Sequence, residues 1–115
     1  MNLHAVLTTI EEPWSPLTVA VVNDYDARVV RVAGEFDWHS HPETDELFLV
    51  LSGAMTIEMA EGDVDLGAGD LYVVPKGRRH CPSSRDGATV LLLEPSATVN
   101  TGDAQSTLTR ARRVL

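Results

Sequence analysis

Hydrophobic residues in this chain come in short runs or alternate with polar residues, and Gly, Pro, Asp and Asn separate the runs. This punctuation is typical of strands and turns, and helical patterns are scarce. Many short strands at regular spacing indicate an antiparallel sandwich or barrel, so the predicted fold class is all-β. The predicted strands are Leu17–Val22, Arg28–Ala33, Leu47–Leu51, Ala54–Ala60, Val64–Leu66, Leu71–Val74, Arg79–Pro82 and Thr89–Leu93.

Two runs, "LFLVL" and "TVLLLE", are apolar at consecutive positions. Because successive side chains of a strand point to opposite faces, both faces of these runs must be covered. One face can fill a barrel, and the other must contact a second sheet or another subunit. A chain of 115 residues has few layers to spare, so we favour a homodimer formed through these strands over a second covering sheet.

Composition narrows the classes of partner. The chain has 9 basic and 17 acidic residues and a net charge of −8, which argues against binding nucleic acid or an anionic membrane surface. No apolar run approaches the roughly 18 residues of a membrane span, and the N-terminus does not resemble a signal peptide. The single cysteine, Cys81, excludes an internal disulfide. We therefore expect a soluble cytoplasmic protein.

Two histidines and several carboxylates directly precede the "LFLVL" run. His39 and His41 are two positions apart, so on a strand both imidazoles point to one face. A strand that restarts at Glu46 places its carboxylate on the same face as Phe48, and His80 can join the group only through folding. Three imidazoles and one carboxylate suit a divalent transition metal. On local spacing alone, solvent-facing turn histidines are an equally good interpretation.

Several neighbouring residues compete for a functional role. Glu43 and Asp45 are alternatives to Glu46, but the alternation of faces favours Glu46 and leaves the other two as solvated turn acids. Cys81 points away from His80 and is expected to be a buried, inert thiol. The candidates for lining a substrate pocket are Trp38, Phe48 and Tyr72. Arg28, Arg31, Arg78 and Arg79 are expected to be surface charges. The C-terminal "STLTRARRVL", with Arg110, Arg112 and Arg113, is expected to form a solvated tail or one short helix.

Two spaced motifs carry a family resemblance. From His39 the chain reads "HSHPETDELFLVLSG", which is H-x-H, four residues, Glu46, six residues and a glycine. From Gly69 it reads "GDLYVVPKGRRH", which ends at His80. These stretches resemble the paired motifs of the cupin superfamily over about residues 17–95, and the chain is similar to small single-domain bacterial cupins.

The resemblance implies a fold and a metal site. The family fold is a double-stranded β-helix, a jelly-roll barrel of short antiparallel strands, here expected as one domain over residues 1–115 with a C-terminal extension at 96–115. The resemblance also implies that one divalent metal, Mn, Fe, Ni, Zn or Cu, binds at the barrel's four family positions, which are His39, His41, Glu46 and His80.

The family includes metal-dependent dioxygenases, sugar isomerases and lyases, so the resemblance implies an enzyme acting on a small oxygen-rich molecule. The alternative is a non-catalytic module that binds a small molecule or a metal. No cluster of Lys or Arg that could bind a phosphate is visible, which weakens the case for a phosphosugar isomerase. Two departures from the family pattern are the four residues between Gly34 and His39, where the family has five, and Ser84, where the family has Asn.

Overall fold

The chain folds into one antiparallel sheet that curls into a barrel. The computed structural model describes residues 1–115. Its elements are α1 (Leu3–Leu7), β1 (Leu17–Val22), β2 (Tyr25–Glu35), β3 (Glu46–Glu58), β4 (Val64–Gly67), β5 (Leu71–Val74) and β6 (Cys81–Pro95). The sheet has the order β1-β2-β6-β3-β4, and β5 also pairs with β3. The predicted all-β fold class is confirmed.

Two pairs of predicted strands are each one long, bent strand. The predicted strands Leu47–Leu51 and Ala54–Ala60 are joined in β3, and Arg79–Pro82 and Thr89–Leu93 are joined in β6. The register between β3 and β6 shifts near Gly53, which has a φ of +77°. A Cβ atom there would overlap a backbone carbonyl oxygen of β6, so the two strands touch where both bend. The glycine therefore bends the strand without ending it.

The barrel interior holds the main hydrophobic core. Along β3 the side chains alternate between buried and half-buried, because one face points into the barrel. The predicted apolar face of Met55, Ile57 and Met59 is buried in this core. It packs with residues from the other strands, including Val30, Val32, Val50, Leu66, Val74, Val90 and Leu92.

Part of the outer face of the sheet is covered within the chain. Leu7 and Ile10, from α1 and the segment after it, pack with Leu17 and Val29 in a second, smaller core. No second sheet covers the rest. The outward residues of β3 and β6 are half-buried, and on β5 Leu71 is 54% and Val73 is 39% exposed. The runs predicted to need cover on both faces are thus only partly covered on the outside by this chain, beside the exposed apolar residues of β5.

The C-terminal residues form no helix, and although residues 111–115 are exposed, their backbone is hydrogen-bonded to the sheet, which corrects the expectation of a short helix or a loose tail. We call residues 96–115 the C-terminal strap. It contains turns and ends in a parallel bridge in which Val114 pairs with Thr18 of β1. The Thr18 N–H donates to the Arg113 carbonyl at 2.8 Å, and the Leu115 N–H donates to the Thr18 carbonyl at 2.9 Å. The strap is therefore hydrogen-bonded onto the edge of the sheet.

One of the expected surface arginines, Arg28, is buried, so that prediction was wrong for it, and Arg31 is half-buried. Arg28 is 3% exposed, and its guanidinium donates to the carboxylates of Asp26 and Glu94 and to two strap carbonyls. Arg31 donates at 2.6 Å to the carbonyls of Leu7 and Ile10, which ties α1 to β2. The acceptors are distant in sequence, so charge counting along the chain could not reveal them. Arg79 is exposed, as expected.

No helix in the structure is long and apolar enough to cross a membrane. A location in the cytoplasm stays a prediction from the sequence.

Candidate metal centre

A backbone bridge joins the two motifs that carry histidines. The His39 N–H donates to the His80 carbonyl at 3.0 Å, and the His80 N–H donates to the His39 carbonyl at 2.9 Å. This isolated antiparallel pair lies outside the named strands, so the segment with His39 and His41 is not the regular strand that the spacing predicted. The bridge sets the two imidazoles side by side, with ring centres 4.4 Å apart.

The four predicted ligand residues come together in the interior. Ligand atoms of His39, His41, Glu46 and His80 all lie within 4.8 Å of one another, and all four residues are buried. Glu46 Oε1 is 3.4 Å from both His41 Nε2 and His80 Nε2. These three atoms are buried and have no hydrogen-bond partner. Buried polar atoms normally have a hydrogen-bond partner, so three buried ligand atoms without one, all close to a single point, fit a cation between them.

The free nitrogens are held in the orientation that a metal needs. The Nδ1 atoms of His39 and His80 lie 2.8 Å and 2.9 Å from the carbonyl oxygens of Asp37 and Arg78. A carbonyl only accepts, so each Nδ1 carries the proton and each Nε2 has its lone pair directed to the site. Such outer hydrogen bonds fix both the tautomer and the ring orientation of metal-binding histidines.

Burial and neighbouring charges keep His39 neutral and Glu46 ionised. Burial, followed by the charge of His80, lowers the pKa of His39 to about 4. Burial disfavours the charged form of Glu46, but the nearby imidazoles of His41 and His80 outweigh this and hold its pKa well below the ordinary value. A neutral imidazole and an ionised carboxylate are the forms that bind metals.

A second carboxyl group lies behind the first. Glu94 of β6 is fully buried, and burial followed by the charge of Glu46 raises the pKa of Glu94 well above its ordinary value. Arg28 donates to Glu94 at 2.9 Å and opposes this shift. The sequence analysis missed Glu94 and placed Arg28 on the surface. The one available signal was the position of Glu94 at the end of the apolar run "TVLLLE", because a charged residue in a buried strand needs a hydrogen-bonding partner.

A small apolar cavity adjoins the centre. It has about 30 Å³ of space for the centre of a water molecule, enough for one or two waters. Three aromatic rings, Trp14, Phe36 and Phe48, line it together with His39 and Glu46, and Asn100 of the strap is the one other polar residue in its wall. Trp14 and Phe36 are stacked with ring centres 4.7 Å apart. The wall contains no Lys or Arg.

A larger groove lies on the surface beside the centre. It has a volume of about 420 Å³ and lies between the turn that begins at His41 and the first part of the strap. Tyr25 and Val99, both largely exposed, lie along it. His41 is the one member of the four-residue cluster that lines this groove, so the groove lies beside the centre.

The other predicted site residues have different surroundings. Phe48 lines the cavity, Trp38 is 37% exposed, and Tyr72 is partly buried against the core, with neither of the latter two in the cavity wall. Asp45 is exposed and accepts a hydrogen bond from the Lys76 N–H at 2.8 Å. Burial, followed by the charges of two nearby glutamates, raises the pKa of Cys81 to about 12, in keeping with an inert thiol.

The family model described as "Cupin domain" matches residues 28–96. The chain belongs to the cupin family. This cupin is 38% identical over 80 residues to the uncharacterized protein YdbB of Bacillus subtilis, an alignment that covers 69% of this chain and 71% of YdbB.

Two further comparisons involve a solved structure and an enzyme. A cupin-2 domain protein from Shewanella frigidimarina superposes with a TM-score of 0.81 at 37% identity, over 83% of this chain and 93% of that one. A 3-hydroxyanthranilate 3,4-dioxygenase from Ruegeria pomeroyi is 33% identical over 92 residues, 73% of this chain. The match covers 51% of the dioxygenase, so this cupin spans about half of that enzyme.

Proposed function

We propose that this cupin binds one divalent transition metal through His39, His41, Glu46 and His80. The observation that carries the proposal is the convergence of three buried, unsatisfied donor atoms, with 3.4 Å from Glu46 Oε1 to each of two imidazole nitrogens. A mixed set of imidazoles and one carboxylate suits Mn, Fe, Ni, Zn or Cu. Four protein donors leave coordination positions free, and a bound metal supplies a Lewis acid or, as Fe, Cu or Ni, a redox centre.

We further propose that the protein is a dioxygenase for a small aromatic ring with adjacent oxygen or nitrogen substituents. In this reaction class both atoms of O₂ enter the product and one ring carbon–carbon bond breaks. Two observations support it: the aromatic, apolar cavity wall of Trp14, Phe36 and Phe48, and the 33% identity to a 3-hydroxyanthranilate dioxygenase. A wall without Lys or Arg offers nothing to hold a phosphate, which disfavours a phosphosugar isomerase.

The chain's own residues have defined parts in this proposal. Glu46 offsets the charge of the cation, and the aromatic wall excludes water from one side of the centre. The groove beside His41, with Tyr25 and Val99 along it, admits the substrate because the inner cavity holds no more than a water or two.

The small cavity also favours a second candidate function, a non-catalytic module that binds a metal or a small ligand. A cavity of about 30 Å³ accommodates no organic substrate without movement of its walls. The two functions differ in whether O₂ is consumed.

We also propose that two chains form a homodimer through the outer face of the sheet. Leu71 and Val73 of β5 are exposed there, beside half-buried leucines of β3 and β6. The face is continuous because Leu47 pairs with both Val73 and Leu93. A contiguous apolar patch of this kind marks an interaction site.

The metal content of the purified protein and its uptake of O₂ test these proposals. We expect about one equivalent of transition metal by elemental analysis, and O₂ uptake by Fe²⁺-loaded protein with catechols or 2-aminophenols. Simple sugars, thiols and diketones serve as comparison substrates. Metal binding without any O₂ uptake would favour the non-catalytic module. Protein that stays free of metal and shows no metal-dependent thermal shift would contradict both functions.

A further inference from the structure

The strap continues past the cupin motifs and packs directly against the candidate metal centre. Residues 97–115 lie beyond the region that the family model matches. The strap supplies Asn100 to the cavity wall and Val99 to the groove, and Leu108 packs against the main core. It is anchored at its far end by Arg112, which donates to Asp26 at 2.7 Å and 3.0 Å.

Ser40, the residue between His39 and His41, makes all its hydrogen bonds with one strap residue, Asp103. The Ser40 N–H donates to Asp103 Oδ1 at 2.7 Å, and the Ser40 hydroxyl donates to Asp103 Oδ2 at 2.9 Å. The Asp103 N–H donates to the Ser40 carbonyl at 3.0 Å. Ser40 is 9% exposed, so its backbone has little contact with water, and Asp103 takes the place of a neighbouring strand.

The preceding glycine allows this close approach. Gly102 has a φ of +55°, and a Cβ atom there would overlap the Ser40 carbonyl oxygen and lie 3.0 Å from His39 Cδ2. A side chain at this position would therefore push on the backbone and on an imidazole ring at once. The strap backbone rests against the histidine pair itself.

From these contacts we propose that Asp103 is a positioning residue of the metal centre, which holds the backbone between His39 and His41 so that both imidazoles face the metal. This inference rests on the proposed metal site. His39 is bridged to His80 and the His41 carbonyl accepts from the Gly77 N–H, but the segment lies outside the sheet ladders, so between these two points Ser40 depends on Asp103 for the hydrogen bonds that a neighbouring strand would otherwise make. Outer contacts that orient metal ligands typically contribute about 10- to 100-fold in metal affinity.

The strap is anchored at several points besides Asp103. Ser106 donates to Asp37, the residue whose carbonyl holds the His39 ring. The Asn100 amide donates to the Leu108 carbonyl at 3.0 Å and accepts from the Arg110 N–H at 3.0 Å. Because these contacts stay when Asp103 is replaced, a variant at Asp103 keeps a docked strap and loses the hold on Ser40.

Titration with Co²⁺ tests the proposal on the full chain without any assay of activity. The visible d–d absorption of Co²⁺ reports its coordination geometry, and competition with a chelator gives its affinity. We expect Asp103→Ala to bind Co²⁺ at least about 10-fold more weakly than wild type, with a changed d–d spectrum. Asp103→Asn keeps the shape and one acceptor oxygen, so it should recover part of the affinity.

Asp65→Ala is the matched control. Asp65 accepts from the Thr56 hydroxyl at 2.7 Å in an exposed pair on β3 and β4, away from the four ligand residues. We expect wild-type affinity and spectrum for this variant. A folded Asp103→Ala chain that binds Co²⁺ with wild-type affinity and spectrum would overturn the proposal. If Asp103→Ala does not fold, Asp103→Asn decides by the same two measurements.

The wild-type titration separates this inference from the proposed function. Wild-type protein that binds no Co²⁺ would overturn the proposed metal site and this inference with it. Wild-type protein that binds Co²⁺, beside a folded Asp103 variant that binds it equally well, would overturn this inference alone.

Discussion

The Arg28 guanidinium donates a 2.9 Å hydrogen bond to the carboxylate of Glu94 inside the sheet, with the two side chains 4% and 0% exposed. A buried pair of this kind contributes little relative to well-packed apolar residues, but removing one partner leaves an uncompensated buried charge. Arg28 also donates to Asp26 and to the strap carbonyls of Ser96 and Thr98, so several acceptors depend on it.

We therefore expect Arg28→Met to lower the free energy of unfolding by about 3–5 kcal/mol, because Glu94 and the two strap carbonyls lose their donor and Asp26 keeps only Arg112 as a cation. Urea denaturation followed by circular dichroism measures the change. Arg85→Met, at an exposed position, should change stability by less than about 0.5 kcal/mol. Equal stability of the two variants would show that the interior network around Arg28 is wrong.

The stability of the fold should fall in acid through Asp26. Hydrogen bonding by Arg112 first, and then by Ser96, Thr18 and Arg28, outweighs burial and lowers the pKa of Asp26 below its ordinary value of 3.8. A carboxyl group with a lowered pKa in the folded state stabilises the fold above its unfolded pKa, and that contribution is lost as the pH falls toward the folded pKa.

We accordingly expect wild type to be more stable than Asp26→Asn at neutral pH, and the difference to shrink as the pH falls below 3.8. Urea denaturation of both proteins at pH values from 7 down to 2 measures the difference. A difference that stays constant over this range would contradict the assignment of an ionised, hydrogen-bonded Asp26.

His80→Ala should abolish metal binding and keep the barrel. The substitution removes one imidazole donor, whereas the backbone bridge to His39 does not depend on the side chain. Elemental analysis after identical purification measures the metal, and far-UV circular dichroism checks the fold. His4→Ala, an exposed histidine on α1, is the control and should keep a full equivalent. Full metal occupancy in His80→Ala would show that His80 is not a ligand.

Val73→Glu should convert the proposed homodimer into monomers of 12.5 kDa, because it places a charge in the apolar outer face. Size-exclusion chromatography with light scattering measures the mass. Val99→Glu is the matched control at a valine that is 48% exposed on the strap, off this face. A monomeric wild type, or a Val73→Glu variant that stays dimeric, would rule out this interface.

Much of the fold followed from local pattern, because strands and turns are set by side-chain alternation and by residues such as glycine. Alternation placed Met55, Ile57 and Met59 in the core and Glu46 on the inward face of β3. The motif resemblance pointed to the four residues that the structure brings together. These features depend on neighbours along one strand or on short, ordered spacing, which a single sequence contains.

The tertiary structure decided what depends on contacts between distant segments. Arg28 and Glu94 are 66 positions apart, and Ser40 and Asp103 are 63 apart, so no local signal identifies them as partners. The sequence pattern therefore misplaced Arg28 on the surface and gave no partner to the exposed Arg112, because a buried charge such as Asp26 depends on partners that only the folded chain supplies. The sequence alone determined most of the barrel strands, and its motif resemblance supplied the candidate ligand residues. The sheet bends, the bridge between His39 and His80, and the strap across the candidate metal centre came from long-range packing, which no single segment encodes.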